Sequence, residues 1–322
     1  MILGTAAAVA ILIGLWATRS GPSGAKGIVF YAKVHGAQQL FTIDSDGSHL
    51  RQLTHLEVPK KKGLGAEDPA WSPDGKSIIF DSDYEGTKQA RVNLFTIRPD
   101  GTGLEQVPLE IGMFTGAAAY SPDGKLISFD WDAAASVVHQ QGIDIANADG
   151  SEVRRFTSLD SPNVLHHGSA WSPDGKWLTF TEMHGTEEAA IVKLRLDGGG
   201  REELTQWALN ANNAVWSPDG RLIAFNSHNG PSPGQSANIY VMRADGTGLQ
   251  QLTHYAGGVP NAYMGDWSPD GKQIVFYLRG PDSDGPGSDQ LFVMGAAGGN
   301  PRQLTHMPDG SDPGHPSWSP AG

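Results

Sequence analysis

One short motif repeats along most of the chain and constrains the fold more than any other feature. Trp-Ser-Pro-Asp-Gly-Lys, or a close variant, occurs six times at intervals of 45 to 51 residues. The copies begin at Trp71, Tyr120, Trp171, Trp216, Trp267 and Trp318. An alternating apolar run such as SIIF or WLTF follows each complete copy. Self-similarity at a fixed period indicates an architecture of repeated structural units.

Each unit contains short runs rich in Ile, Val and Phe that are bounded by Pro, Asp and Gly, which is typical of strands joined by tight turns. In Ser-Pro-Asp-Gly, proline presets φ, aspartate bonds the local backbone, and glycine accepts a positive φ. No helical period is sustained after residue 25. Four short antiparallel strands per unit of about 50 residues are typical of propeller blades. The sequence therefore predicts an all-β, six-bladed β-propeller.

The two ends of the repeat region predict how the ring closes. The segment from Lys26 to Phe30 aligns with that from Lys76 to Phe80, so the first unit lacks its innermost strand. The last copy stops where that strand would end. We expect the C-terminal strand, 315–319, to complete the N-terminal blade and to cover the open edges. The predicted organisation is a hydrophobic segment at 1–18, a tether at 19–25 and a propeller at 26–322.

The N-terminal segment predicts where in the cell the protein is located. Residues 2–17 contain neither charge nor proline, which predicts a hydrophobic helix that acts as an export signal or membrane anchor. No basic residue precedes Ile2, which is atypical of a signal peptide. We expect an exported protein, periplasmic or extracellular, that meets the membrane only through this segment.

The repeat, with its Ile-Tyr-Val-Met-x-x-Asp-Gly and Leu-Thr runs, resembles the TolB-type propeller repeat, a relative of the WD repeat. The resemblance covers essentially everything after residue 25. It implies a six-bladed propeller, but many functions share that repeat. The TolB family carries an α/β domain before its propeller, whereas here the repeat follows the tether directly. A role in a Tol–Pal complex is therefore not implied.

The candidate site lies on the face that carries the long, varied loops, because function concentrates on such loops. The positions three and four before each repeat aromatic enter the innermost strand at the channel mouth. The candidate ligand-binding residues there are Glu67, Asp68, His167, Asn212, Asn213, Tyr263 and His315. His167, His315 and Glu67 are candidate ligands for a divalent metal such as Ca, Mn or Zn. The alternative is a polar channel that is merely hydrated.

Three other sequence patterns are typical of catalytic or metal-binding sites. Asp81 with Asp83, and Asp130 with Asp132, are expected to share a strand face as carboxylate pairs, the alternative being a solvated acidic loop. Residues 230–234 match Gly-x-Ser-x-Gly, but the proline after the serine lacks the N–H that an oxyanion hole needs. The oxygen-rich loop 282–289 lacks the spacing of an EF-hand.

Charge and composition narrow the function. The chain has 23 basic and 35 acidic residues and a net charge of −12, which disfavours nucleic acid as a partner. It has no cysteine. We predict a monomeric, non-catalytic binding or scaffold module whose partner is an envelope protein or a polysaccharide. The alternatives are a metal-dependent carbohydrate-active enzyme, as resemblance to oligogalacturonate lyases implies, and a regulatory propeller related to prolyl-oligopeptidase-like peptidases.

Overall fold

A computed structural model describes residues 27–56, 65–83, 92–109, 114–132, 141–157, 164–185, 188–228, 236–280 and 289–320. Within these ranges the chain forms 24 strands and one short 3-10 helix, η1 (Trp207–Leu209). The hydrophobic segment, the tether, the 230–234 motif and most of the 282–289 loop lie outside the described residues. No helix among the described residues has the length and apolar character needed to cross a membrane.

The strands form six antiparallel four-stranded sheets, which confirms the predicted six-bladed propeller. The innermost strands are β4 (Ala66–Trp71), β8 (Phe114–Tyr120), β12 (Val164–Trp171), β16 (Ala211–Trp216), β20 (Asn261–Trp267) and β24 (Gly314–Trp318). The second strands are β1 (Ile28–Val34), β5 (Ile78–Ser82), β9 (Leu126–Asp132), β13 (Trp177–His184), β17 (Leu222–Ser227) and β21 (Gln273–Arg279).

The outermost strand of each blade is much shorter than the other three. The third strands are β2 (Ala37–Ile43), β6 (Asn93–Ile97), β10 (Gln141–Asn147), β14 (Glu188–Arg195), β18 (Asn238–Arg243) and β22 (Gln290–Gly295). The fourth strands have two residues each: β3 (Arg51–Gln52), β7 (Glu105–Gln106), β11 (Arg154–Arg155), β15 (Glu202–Glu203), β19 (Gln250–Gln251) and β23 (Arg302–Gln303). Such short edge strands offer little backbone for association with another chain.

Five blades are built from consecutive strands, and the sixth joins the two ends of the described chain. Its strand order is β24-β1-β2-β3, with Ile28 opposite Trp318. Each innermost strand also contacts the next one around the axis, including β20 with β24 and β24 with β4. The repeat positions that enter the innermost strands therefore surround one central channel.

One phenylalanine per blade forms the centre of the packing. These side chains hold the same position on the second strand and are at most 2% exposed: Phe30, Phe80, Phe129, Phe180, Phe225 and Phe276. The repeat tryptophans are also buried, and Trp318 packs with Phe30, Ile28 and Val293 of two neighbouring blades. Because these clusters span adjacent blades, burial of apolar area holds the blades to one another as well as within themselves.

The Ser-Pro-Asp-Gly turns owe their uniform shape to side-chain hydrogen bonds. In the first, the Ser72 hydroxyl and the Lys76 N–H both donate to Asp74 Oδ1, at 2.8 and 3.1 Å. Gly75 has a φ of 67°. The hydrogen bonds from Ser72 and Lys76 hold the pKa of Asp74 below its usual value. The same bonds recur in the other four complete copies, so these turns act as scaffold.

Candidate binding site at the channel mouth

A β-bulge interrupts every innermost strand just before its repeat aromatic, as shifts in strand register reveal. In five strands the residue three positions before the aromatic has a positive φ of 44° to 65°: Asp68, Ala117, Gly168, Asn213 and His315. β20 is the exception, since Met264 at this position is not left-handed. A bulge bends its strand and redirects side chains. The predicted site residues all lie at or beside these bulges.

Side chains from the neighbouring blade fix four of the bulges in place. The Gly168 N–H donates to both carboxylate oxygens of Asp130, at 3.0 and 3.2 Å. The Ala117 N–H donates to Asp81 at 3.4 Å. Thr181 and Asn226 accept the equivalent bonds from Asn213 and Met264, both at 3.3 Å. In these four blades the residue that follows the core phenylalanine thus acts as an inter-blade latch.

The latches change the interpretation of the two aspartate pairs. Asp81 and Asp130 are 6% and 7% exposed, so they do not belong to a solvated acidic loop. Burial raises the pKa of each carboxyl well above its usual value, and the nearby charge of Asp68 adds to the shift. Both are occupied in holding a backbone bulge.

The bulges surround a cavity of about 450 Å³ whose walls come from all six blades. Asp68, Ala117, His167, Asn213, Met264 and His315 each contribute to its lining. This volume lies within the range of sites that bind small molecules or a few side chains. The channel mouth, defined here as these bulge residues and their immediate neighbours, is therefore a real concave site.

An ion pair crosses the cavity wall between two blades. His315 Nδ1 contacts Asp68 Oδ1 directly. Burial alone would raise the pKa of Asp68 and lower that of His315, but their mutual attraction outweighs it and moves both in the opposite directions. Glu67, beside this pair, accepts a 2.7 Å hydrogen bond from Gln38. Burial, followed by repulsion from Asp68, raises its pKa to about 7.

The three candidate metal ligands have separate partners. Glu67 bonds Gln38 and His315 bonds Asp68, whereas His167 Nε2 lies 3.2 Å from the sulfur of Met183. Burial, aided by neighbouring His166, lowers the pKa of His167 to about 4, so its imidazole is neutral. Among the described residues no group of three or more His, Asp or Glu is placed to hold a metal ion.

Aromatic side chains cover the mouth between β20 and β4. The His315 ring lies 5.4 Å from Tyr31 and 5.6 Å from Tyr277, and Tyr277 stacks on Tyr263 at 5.1 Å. Arg279 lies over Tyr263 at 5.3 Å. Sequence reasoning missed Tyr31 and Tyr277. The sequence pattern that could have identified them is their position directly after the core phenylalanine, which in the other four blades is occupied by a latch residue.

Asp266 joins the last two innermost strands. Its Oδ2 accepts the Trp318 N–H at 2.9 Å, and its Oδ1 accepts the Trp267 N–H at 2.8 Å. Burial raises its pKa to about 6, against the lowering effect of these two bonds. At this repeat position the other blades carry alanine, valine or serine, so Asp266 is particular to this junction.

Another buried carboxylate, Glu182, lies on β13, away from the channel. Glu182 accepts hydrogen bonds from Arg201 at 2.8 Å and His184 at 3.1 Å, and contacts His166 at 3.3 Å. Burial favours a raised pKa, but the bonds from His166 and Arg201 prevail and lower it to about 2. His184 also stacks on Trp207 at 4.1 Å. This cluster braces the blade formed by β12 to β15.

Comparison with models of known protein families shows to which family the chain belongs. The TolB beta-propeller domain model matches residues 136–322, more than half of the chain. The protein belongs to this family. Among solved structures, this TolB-type propeller is similar to a TolB from Agrobacterium tumefaciens, with a TM-score of 0.68, 23% identity, and coverage of 93% of this chain and 96% of that one.

Three other proteins are also similar to the TolB-type propeller. TolB from Acinetobacter baumannii has a TM-score of 0.69 at 21% identity, over 91% of this chain and 66% of that one. An oligogalacturonate lyase in complex with manganese has a TM-score of 0.52 at 18% identity, over 88% and 75%. The uncharacterized peptidase YuxL of Bacillus subtilis is 26% identical over 169 residues. That match covers 48% of this chain but only 20% of the relative's length.

Proposed function

We propose that this TolB-type propeller is an exported, non-catalytic recognition module that binds an envelope protein at the channel mouth. The hydrophobic segment 2–17 would direct export or anchor the chain at the membrane. The propeller, held together by the pairing of β24 with β1, would act as a monomeric scaffold. The repeated bulge is the observation that carries the proposal, because it brings side chains from all six blades to one cavity, and latches hold four of the bulges in place.

The charge of the mouth favours a basic segment of the partner. In the ion pair the charge of Asp68 is balanced by that of His315, so the negative charge that a partner meets at the mouth is that of Glu67, whose pKa is about 7. His167 is neutral and offsets none of the Glu67 charge. An approaching lysine or arginine would lower the pKa of Glu67 and so strengthen its own attraction. The net charge of −12 would also speed the encounter with a basic partner.

Two alternatives remain distinct from this proposal. Similarity to YuxL supports a regulatory propeller that accompanies a peptidase, although the match covers a small part of that protein. A metal-dependent carbohydrate-active enzyme has weaker support, since likeness to the lyase concerns the fold and the three candidate ligands have separate partners. A polysaccharide partner is a further alternative, and sugar analysis of the captured material in the experiment below would reveal it.

The experiment compares charge changes on the two faces. Glu67→Lys alters the channel mouth, and Lys76→Glu alters an exposed position on the Ser-Pro-Asp-Gly face. Tagged full chains are incubated with envelope extract, and captured proteins are identified by mass spectrometry. We expect Glu67→Lys to abolish specific capture and Lys76→Glu to leave it intact, with both proteins folded by circular dichroism. If Lys76→Glu alone abolished capture, the binding face would be the one that carries the Ser-Pro-Asp-Gly turns, and the proposal would be wrong.

A further inference from the structure

Both ends of the described chain lie on the face that carries the Ser-Pro-Asp-Gly turns, called here the turn face. In a blade of consecutive strands, Trp71 pairs with Ile78 at this end of the sheet, and the turn connects them. In the closing blade Trp318 pairs with Ile28 in the same way. Residues 1–26 therefore join the propeller at the turn face, which is the face opposite the channel mouth.

The closing blade takes its place in the turn face although its turn is split between the two ends of the chain. In four pairs of neighbouring turns the proline of one turn lies beside the glycine of the next. Pro320 lies beside Gly75 in the same way, and the Ser319 N–H donates to the Gly27 carbonyl at 2.8 Å. The point at which the N-terminal segment joins the propeller is therefore fixed within this face.

The tether is too short to let the opposite face reach a membrane that holds the hydrophobic segment. Eight residues, 19–26, separate that segment from Gly27, and at full extension they span at most about 29 Å. To bring the channel mouth to the bilayer they would pass outward over β2 and β3, about 10 Å, and then along the height of the seven-residue β1, about 23 Å. This path of about 33 Å exceeds the reach of the tether, so the turn face is the one that such a membrane approaches.

The side chains of the turn face suit the headgroup layer of a phospholipid bilayer. Each complete turn presents a basic side chain, 73–83% exposed, that pairs at 3.1–3.8 Å with the aspartate two residues before it. Such exposed ion pairs contribute little to stability, so exchange of the aspartate for a lipid phosphate costs little. Leu249, 51% exposed, follows an Asp-Gly turn on the same face and adds an apolar contact. The basic residues are Lys76, Lys125, Lys176, Arg221 and Lys272.

We propose that the turn face lies on the membrane that holds residues 2–17, with its basic side chains at the phosphates of phospholipid headgroups, and that the channel mouth points away from that membrane. This inference rests on the anchoring segment of the proposed function. It also narrows the partner. A segment that enters the channel mouth must come from a soluble protein or from a protein held in an opposite layer, because the propeller stands between the mouth and its own membrane.

The test places a fluorescent dye at either end of one blade, which the absence of cysteine from the sequence allows. Lys176→Cys lies on the turn face just before β13, and the matched control Glu188→Cys begins β14 at the mouth end; both positions are exposed. The eight residues of β13 hold the two positions about 26 Å apart. Each labelled full chain is reconstituted in vesicles of equal parts phosphatidylcholine and phosphatidylglycerol that contain a lipid with a nitroxide quencher on its headgroup. We expect the dye at position 176 to be quenched at least threefold more than the dye at position 188.

Two further variants test the parts of the inference, and thermal melts verify that every protein is folded. Removal of residues 1–24 should abolish quenching at both positions. Lys76→Glu, Lys125→Glu and Lys272→Glu together should at least halve the quenching at position 176, and unchanged quenching overturns the contact with lipid phosphates.

The orientation is overturned by equal quenching at the two positions, by stronger quenching at position 188, or by vesicle-bound protein in which neither dye is quenched. In these cases the proposed function stands if capture at the channel mouth still depends on Glu67. Failure of the full chain to bind the vesicles refutes the anchoring itself and the inference with it.

Discussion

Replacement of Trp318 by alanine measures how much the C-terminal strand contributes to the ring. Trp318 is 6% exposed and packs against β1, while its N–H bonds Asp266 in the preceding blade. A large-to-small change at such a buried site costs about 3–5 kcal/mol. At roughly 2–3 °C per kcal/mol for a chain of this size, the melting temperature should fall by about 6–15 °C.

The assay is thermal and urea unfolding followed by far-UV circular dichroism. Trp267→Ala is the matched control, because Trp267 holds the same repeat position within a blade of consecutive strands and is 3% exposed. The two variants should lose similar stability. A loss below about 1 kcal/mol for Trp318→Ala, beside a full loss for Trp267→Ala, would refute the idea that β24 is integral to the ring.

Deletion gives a stronger form of the same test. Removing residues 313–322 takes away β24 and leaves the edge of β1 unpaired, so we expect loss of cooperative unfolding or aggregation. Removing residues 1–24 should leave a folded propeller, because the described strands begin at Ile28. A C-terminal deletion that melts like the full chain would contradict the predicted closure.

Three further predictions concern single side chains. Gly265→Ala should destabilise the protein strongly and Gly295→Ala hardly at all in thermal melts, because only the first added Cβ would meet backbone oxygen at 2.7 Å and Pro316 at 2.5 Å. Burial raises the pKa of Asp266 from 3.8 to about 6, so its contribution to the free energy of unfolding is complete below pH 3.8 and is lost as the pH rises through 6. Urea unfolding at several pH values should therefore show the stability of Asp266→Asn, relative to the unmodified protein, growing by up to about 3 kcal/mol between pH 4 and 7. The lowered pKa of Glu182, about 2, has the opposite sign, so Glu182→Gln should cost up to about 3 kcal/mol at pH 7, and urea titrations should show this cost shrinking as the pH falls from 4.5 towards 2.

The blade architecture was predictable because its determinants are local. The turn at Ser72 to Ser77 closes on its own side chains, and Phe80 follows at a fixed distance in the repeat. The place of the channel mouth was also predictable, since it is counted back from each repeat aromatic. These features need only the sequence of one unit.

The contacts at the mouth were not predictable from the same pattern, because they join different blades. Asp68 meets His315 across nearly the whole length of the chain. From its sequence position Asp81 resembles a surface carboxylate, but in the structure the bulge of the next blade lies against it. Repeat spacing gives the position of a residue within its blade, whereas its partner depends on how neighbouring blades pack.

The left-handed bulge has a consequence for how such a protein can change. Asp, Ala, Gly, Asn and His all occupy the same backbone conformation in different blades, although it costs a non-glycine residue about 1–2 kcal/mol. The backbone shape therefore does not depend on one residue type, since it recurs wherever the innermost strand is bulged against the second strand in these five blades. Asp68 and His315 depend on each other through their ion pair, but Ala117, Gly168 and Asn213 have no such partner at the mouth, so substitutions there can change the chemistry of the opening one blade at a time while the architecture stays the same.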